Sequence, residues 1–126
     1  MLYKVLVVDD EAPVRDLLSD LLKKEDCNVS VCATGEEALE ILKKDTFEVV
    51  LLDIKLPGIN GLEVLKNIRD TNKDLAVIMI TGFGYNEDLL CKTKEFGCCG
   101  YIGKNMPVAQ IITTFKQFAK NAKNGE

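Results

Sequence analysis

Residues 49–58, VVLLDIKLPG, combine a continuous apolar run with a single carboxylate, Asp53, at its end. Four apolar residues followed by a Pro–Gly turn are typical of a strand that is buried on both faces of a parallel sheet. A charged side chain at the end of a buried strand costs free energy unless the charge is paired or binds a metal ion, so such a residue usually has a function. Asp53 is therefore the first residue to explain.

Four further short apolar runs alternate with segments of helical spacing. Because parallel strands need crossover connections, this alternation predicts an α/β fold, a doubly wound five-stranded parallel sheet with five helices. For such a sheet we expect the strand order 2-1-3-4-5. The fourth helix, at about residues 86–96, has the narrowest apolar stripe, so we expect it to be the most weakly held. The predicted strands are residues 5–8, 29–32, 49–52, 76–80 and 101–102.

The length and composition of the chain are those of one domain. We expect this domain to span residues 1–121 of the 126 and to be followed by a polar tail at residues 122–126. The net charge of −4, with dispersed Lys and Arg, argues against direct binding of nucleic acid. Lacking a long apolar stretch or a leader pattern, the chain is expected to be cytoplasmic and not to bind membranes. Its five cysteines form no C-x-x-C pair and histidine is absent, so we expect reduced thiols and no zinc site.

Polar residues follow the apolar runs at the edge where parallel sheets bind ligands. The strand order places Asp9 and Asp10 beside Asp53, and like charges this close call for a cation. Because only oxygen ligands are at hand, Mg²⁺ is the natural candidate. Thr81 and Lys104 end the fourth and fifth strands, where a hydroxyl and an ammonium suit the oxygens of a phosphoryl group. Any one of these residues alone would be an ordinary turn or surface residue.

Four motifs in this order resemble the receiver domain of two-component response regulators over essentially the whole chain. They are VLVVDDE with Asp9 and Asp10, LLDIKLPGINGLEVL with Asp53, ITG with Thr81, and GYIGK with Lys104. The second motif is similar to that of single-domain chemotaxis and sporulation-relay receivers. The resemblance implies the flavodoxin-like receiver fold and a role in phosphorelay signal transduction.

By this resemblance, Asp53 is the phosphoacceptor and Lys104 and Thr81 assist catalysis. Mg²⁺ is held by Asp9, Asp10, Asp53 and the backbone carbonyl of Lys55. Thr81 and Tyr101 form the switch that changes the surface of the fourth helix, the fifth strand and the fifth helix.

The implied phosphoryl donor is a sensor histidine kinase or a histidine phosphotransfer protein, because this chain has no histidine of its own. The implied recipient of the signal is a downstream protein partner or effector domain. The domain is expected to catalyse only its own phosphorylation and dephosphorylation and otherwise not to be an enzyme.

This chain differs from the usual receiver pattern in two features, one at Asn105 and one at Lys55 and Phe83. Asn105 replaces the proline that commonly follows the lysine through a cis bond, so we predict a trans Lys104–Asn105 bond. Lys55 and Phe83 occupy positions that flank the path of the hydrolytic water in receivers. Two bulky side chains there suggest a long-lived phosphoryl group.

Three other functions remain open at this stage. A flavodoxin-like electron carrier would need a phosphate-binding loop rich in Ser, Thr and Gly after the first strand, where this chain has DDEAP. An aspartate-based phosphatase would need a D-x-D motif in place of Asp9-Asp10. A pseudo-receiver, which binds proteins without being phosphorylated, is favoured only by Asn105.

Overall fold

The computed structural model of the chain describes residues 3–82 and 87–124. Within these residues strands and helices alternate strictly, five of each, as predicted. The strands are β1 (Lys4–Val8), β2 (Asn28–Cys32), β3 (Val49–Asp53), β4 (Ala76–Thr81) and β5 (Gly100–Gly103). The helices are α1 (Ala12–Lys24), α2 (Gly35–Lys44), α3 (Gly61–Thr71), α4 (Glu87–Glu95) and α5 (Val108–Asn124).

The strands form one parallel sheet of order β2-β1-β3-β4-β5, which confirms the predicted topology. β1 and β3 are direct neighbours, with Val8 opposite Leu52. The residues that follow these two positions are Asp9 and Asp53, so the topology itself brings the two carboxylates to one edge.

Two hydrophobic layers cover the sheet, one on each face. α2 and α3 pack on the face that carries Leu6, Val8 and Leu52. α1 and α5 pack on the other face, where Phe115 is fully buried. Every residue of β3 is buried, which explains the continuous apolar run of its sequence.

Side-chain caps begin two of the helices. Thr34 accepts a hydrogen bond from the Glu37 N–H at the start of α2, which is one half of a capping box. Asn60 accepts one from the Glu63 N–H at the start of α3. α3 therefore begins at a defined point directly after the loop that leaves Asp53.

The C-terminal end of α4 is attached to α3. Gly97 adopts the left-handed conformation that ends the helix, with a φ of 89°. Arg69 of α3 donates a hydrogen bond of 2.6 Å to the Gly97 carbonyl, and the Lys66 ammonium lies 4.9 Å from the centre of the Phe96 ring. Among the α4 side chains that the structure describes, only Thr93 is buried.

α5 extends to Asn124, so it includes residues 122–124 of the segment predicted as a tail. None of the described helices combines the length and the apolar character needed to cross a membrane. All five cysteines are free thiols, in agreement with the expectation from their spacing.

Candidate functional site

Two buried carboxylates define the carboxyl edge of the sheet. Asp9 and Asp53 are both buried, whereas Asp10 is exposed. Each buried carboxylate is fixed by the backbone two residues further on. The Glu11 N–H donates to Asp9 Oδ1 over 2.8 Å, and the Lys55 N–H donates to Asp53 Oδ1 over 3.1 Å. These hydrogen bonds orient the two carboxylates relative to the backbone of the turns that follow β1 and β3.

The Lys104 ammonium joins these carboxylates from the opposite side of the cleft. Lys104 Nζ lies 3.0 Å from Asp53 Oδ2, 3.2 Å from Asp9 Oδ2 and 2.5 Å from Glu11 Oε1. The Lys104 N–H donates to the Thr81 carbonyl over 2.8 Å, which fixes the start of the lysine stem. Four of the predicted site residues, Asp9, Asp53, Thr81 and Lys104, therefore lie at one sheet edge.

A cation fits the acidic side of this cleft. Four acidic residues each offer a carboxylate oxygen, and these four oxygens lie within 4.8 Å of one another. The residues are Asp9, Asp10, Glu11 and Asp53. Asp9 Oδ2 is buried and, within residues 3–82 and 87–124, has no hydrogen-bond donor, since Lys104 Nζ lies near it outside hydrogen-bond geometry. A buried carboxylate oxygen that accepts no hydrogen bond is costly even beside an ammonium, and a metal ion would satisfy it. The residues present can hold a hard divalent cation, because they offer oxygen ligands alone.

The protonation of the site reflects both burial and charge. Burial raises the pKa of Asp53 to about 6, and the negative charge of Asp9 adds to this, while the hydrogen bond from Lys104 opposes it. Burial lowers the pKa of Lys104, but its hydrogen bonds to Glu11 and Asp53 outweigh this and raise the pKa above its ordinary value. At neutral pH the site therefore contains an ionised Asp53 beside a protonated Lys104.

The residues predicted to form the switch lie beside the cleft. Thr81, the last residue of β4, is half-buried and pairs in register with Gly103. Tyr101 is half-buried on the face covered by α2 and α3. Its hydroxyl lies 3.0 Å from the Thr93 hydroxyl of α4. Burial, together with a hydrogen bond involving Cys98, raises the pKa of Tyr101 to about 12.

The two departures from the receiver pattern have different outcomes. The Lys104–Asn105 bond is trans, because the described residues contain no cis peptide bond, and the prediction is confirmed. The side chain of Lys55 is exposed at the cleft. Phe83 lies outside the described residues, so the long phosphoryl lifetime stays a prediction.

Three side chains of the site were not identified from the sequence. Glu11 binds Lys104, Arg15 Nη1 donates to the Asp9 carbonyl over 2.8 Å, and Thr93 contacts Tyr101. Glu11 could have been suspected from its place after Asp9 and Asp10. Arg15 and Thr93 give no local signal, because their partners are set by how helices pack on the sheet.

The cleft itself is open and has a volume of about 280 Å³. Its lining combines a buried carboxylate, further acidic side chains and an ammonium, groups that are able to accept a phosphoryl group and to neutralise its charge. The lining residues are Asp10, Glu11, Asp53, Lys55, Gly82 and Lys104.

Comparison with known proteins agrees with this geometry. Residues 5–116 match the family described as response regulator receiver domain. The chain is 33% identical to sporulation initiation phosphotransferase F of Bacillus subtilis (strain 168) over 115 residues, which are 91% of this chain and 92% of that protein.

Solved structures show the same fold. A CheY-like response regulator receiver domain protein from Methanospirillum hungatei JF-1 superimposes with a TM-score of 0.92 at 25% identity, with all of both chains covered. NtrX from Brucella abortus, in a crystal structure with ADP, superimposes with a TM-score of 0.90 at 29% identity over 98% of this chain. This chain spans 28% of the NtrX chain. The protein therefore belongs to the response regulator receiver family and is a signalling domain of phosphorelays.

Proposed function

We propose that Asp53 is the residue that accepts the phosphoryl group. The observation that carries this proposal is the convergence of Asp53 and Lys104 in one open cleft, beside a buried Asp9 oxygen that accepts no hydrogen bond. Asp53 lies on a fully buried strand, and its Oδ1 is tied to the Lys55 N–H. A nucleophile held in this way loses little orientation when its donor arrives.

The metal of the proposed site is Mg²⁺, held by Asp9, Asp10, Asp53 and the backbone carbonyl of Lys55. The buried Asp9 oxygen that accepts no hydrogen bond and the oxygen-only ligand set support this choice. When bound, Mg²⁺ neutralises the negative charge that gathers on the phosphoryl oxygens.

In the proposed transfer, an ionised oxygen of Asp53 attacks the phosphorus of a phosphohistidine. A P–O bond forms as the P–N bond breaks, and the electron pair of the broken bond leaves with the imidazole. Lys104 stays protonated, because its carboxylate partners raise its pKa, and its ammonium can donate to a phosphoryl oxygen. Thr81 offers a hydroxyl at the same edge.

The signal is proposed to leave through Tyr101 and the surface of α4, β5 and α5. A phosphoryl group on Asp53 adds negative charge and acceptor oxygens, toward which Thr81 and Lys104 can move. Tyr101 follows Thr81 and changes its contact with α4. The bond between the Tyr101 and Thr93 hydroxyls supports this route, because it links β5 directly to α4.

The proposed donor is a sensor histidine kinase or a histidine phosphotransfer protein, and the proposed recipient is a downstream protein or effector domain. Similarity to a protein named a phosphotransferase of sporulation initiation supports a place in a relay. The domain is proposed to catalyse only its own phosphorylation and dephosphorylation. A cytoplasmic location is proposed because the five cysteines are free thiols.

The test is the intact mass of the protein after incubation with acetyl phosphate, in Mg²⁺ or in chelator. We expect one phosphoryl adduct that requires Mg²⁺ and is absent from Asp53→Asn. Asp20→Asn, which changes an exposed aspartate of α1, is the matched control and should form the adduct. A folded wild-type protein that forms no adduct, or an adduct that persists in Asp53→Asn, would contradict the proposal.

A further inference from the structure

The carboxylate nearest to the Lys104 ammonium belongs to Glu11. Glu11 Oε1 lies 2.5 Å from Lys104 Nζ, compared with 3.0 Å for Asp53 Oδ2 and 3.2 Å for Asp9 Oδ2. One ammonium is thus shared by three carboxylates, of which Glu11 makes the shortest contact. Glu11 also differs in exposure, because its side chain is 56% exposed while those of Asp9 and Asp53 are 0% and 3% exposed.

The local structure directs Glu11 toward the lysine. Glu11 occupies the N-cap position of α1, yet its side chain makes no capping hydrogen bond. Its N–H is instead bound to Asp9 Oδ1 in the turn that follows β1. A residue at this position normally stabilises the helix by accepting from the first backbone N–H groups. The Glu11 side chain does not cap the helix; it lies at the rim of the cleft and pairs with the Lys104 ammonium.

The position of Lys104 matters because an ammonium and a divalent cation compete for the same oxygens. Lys104 lies against Asp9 and Asp53, the two buried members of the acidic cluster. A cation that enters the cluster must separate the ammonium from them, at a cost that depends on the other partners of Lys104. Glu11 is the partner at the exposed side of the cleft. It can therefore keep its contact with the ammonium while the ammonium moves away from the oxygens of Asp9 and Asp53.

We propose that Glu11 is a positioning residue that holds the Lys104 ammonium at the rim of the cleft, so that Asp9 and Asp53 remain available to a divalent cation. The inference rests on the proposed function, because it assumes that Asp9 and Asp53 hold the cation. Glu11 acts through Lys104 and is not itself a ligand. Without the Glu11 charge, the ammonium turns inward and competes more strongly with the cation.

The test is a double-mutant cycle on the affinity for Mg²⁺, measured by titration calorimetry. The four proteins are the wild type, Glu11→Gln, Lys104→Met and the double variant. We expect Glu11→Gln to weaken Mg²⁺ binding about three- to tenfold when Lys104 is present, as contacting residues commonly couple by this much. In the Lys104→Met background the same substitution should weaken binding by only about twofold, through the loss of its own charge.

A matched control and a kinetic measurement complete the experiment. Glu40→Gln removes an exposed glutamate that pairs with Lys43 on α2, so it makes the same change in net charge and should leave the affinity unchanged. The rate of adduct formation from acetyl phosphate in Glu11→Gln should reach the wild-type value when Mg²⁺ is saturating. If Lys104→Met does not fold, Lys104→Gln serves the cycle, because its amide can donate to Asp53 without a charge.

Two results would overturn the inference alone. An equal loss of affinity in both backgrounds means that Glu11 binds the cation itself, and no loss in either means that it has no part in cation binding. A wild-type protein that binds no Mg²⁺ overturns the proposed metal site and this inference with it. If the wild type binds Mg²⁺ and forms the adduct but the effects of the two substitutions on Mg²⁺ affinity are additive, the inference about Glu11 fails and the proposed function stands.

Discussion

The two sides of the cleft are built differently. On the acidic side, Asp9 and Asp53 lie at the ends of fully buried strand segments, and backbone N–H groups fix their carboxylates. On the other side, Thr81 and Tyr101 are half-buried, and Tyr101 is joined to α4 by a bond between two hydroxyls. Contacts between side chains can break and reform in rotamer changes, whereas the turns of the acidic side move only with the backbone.

Under the proposed function, this contrast separates the part of the molecule that would react from the part that would respond. A nucleophile benefits from a fixed position, while a switch needs two arrangements of similar free energy. α4 suits the second role, since Thr93 alone is buried among its described side chains. α3, its neighbour, buries Gly61, Leu62, Val64, Leu65 and Ile68.

The largest expected effect comes from disturbing the rigid side with Gly61→Ala. A Cβ at Gly61 would lie 2.3 Å from the Asp53 carbonyl oxygen and 2.8 Å from Ile54 Cα, so backbone would have to move. We expect a loss of about 3 kcal/mol in the free energy of unfolding, although alanine favours helices more than glycine does. Urea denaturation measures it.

The control for this substitution is Gly82→Ala, on the responding side. Among the residues that the structure describes, a Cβ there meets only Lys104 Cδ, at 3.6 Å, which is an ordinary contact. Its free energy of unfolding should change by less than about 0.5 kcal/mol. Similar losses in both variants would mean that the two sides are equally tolerant of backbone displacement.

An intermediate effect is expected from Asp53→Asn in chelator. Burial raises the pKa of Asp53 to about 6, so its ionised form destabilises the native state at neutral pH. After allowance for solvent screening, removing this charge should stabilise the metal-free protein by about 1–2 kcal/mol at pH 7. Thermal unfolding of both proteins measures the difference.

The sign of this effect sets its pH dependence. The native state binds more protons than the unfolded chain between the unfolded pKa, about 4, and the folded pKa of about 6. Wild-type stability from this group therefore falls as pH rises through that window, and the advantage of Asp53→Asn should disappear below about pH 4. An advantage that is constant from pH 4 to pH 7 would refute the burial of the charge as its cause.

The smallest effect is expected from Thr93→Val on the responding side. The substitution keeps the shape of the side chain but removes the partner of the Tyr101 hydroxyl, at a cost of about 1 kcal/mol. Hydrogen exchange should quicken in α4 and β5 and stay unchanged in α3. Thr113→Val removes an exposed hydroxyl from α5 and is the matched control. Equal quickening in α3 and α4 would contradict the contrast between them.

The sequence was sufficient for the fold because its signals are local and consistent. The buried run before Asp53 predicts a central strand, and the alternation of apolar runs with helical spacing predicts the doubly wound sheet that the structure has. The meeting of Asp9 and Asp53 followed from strand order alone. The trans bond at Asn105 followed from the cost of the cis form in a residue other than proline.

The remaining contacts could not be predicted because they depend on where long side chains end. The ion pair between Glu11 and Lys104 joins residues 93 positions apart, and either side chain has several partners within reach. Thr93 and Tyr101 meet because α4 ends at Glu95 and the chain, after the left-handed Gly97, returns along β5. To predict such contacts one must know the angle between helix and sheet, and the periodicity of apolar residues in the sequence does not give that angle.

The attachment of α4 to Arg69 has a mechanical consequence. The hydrogen bond to the Gly97 carbonyl and the contact between Lys66 and Phe96 anchor the C-terminal end of the helix to α3, so a tilt of α4 about that end would keep both contacts. The nine residues of α4 make a lever about 13 Å long, so a tilt of about 10° displaces its first turn by about 2 Å. A small rearrangement near Thr81 can thus be amplified at the N-terminal end of the helix, while the pivot keeps its position on α3.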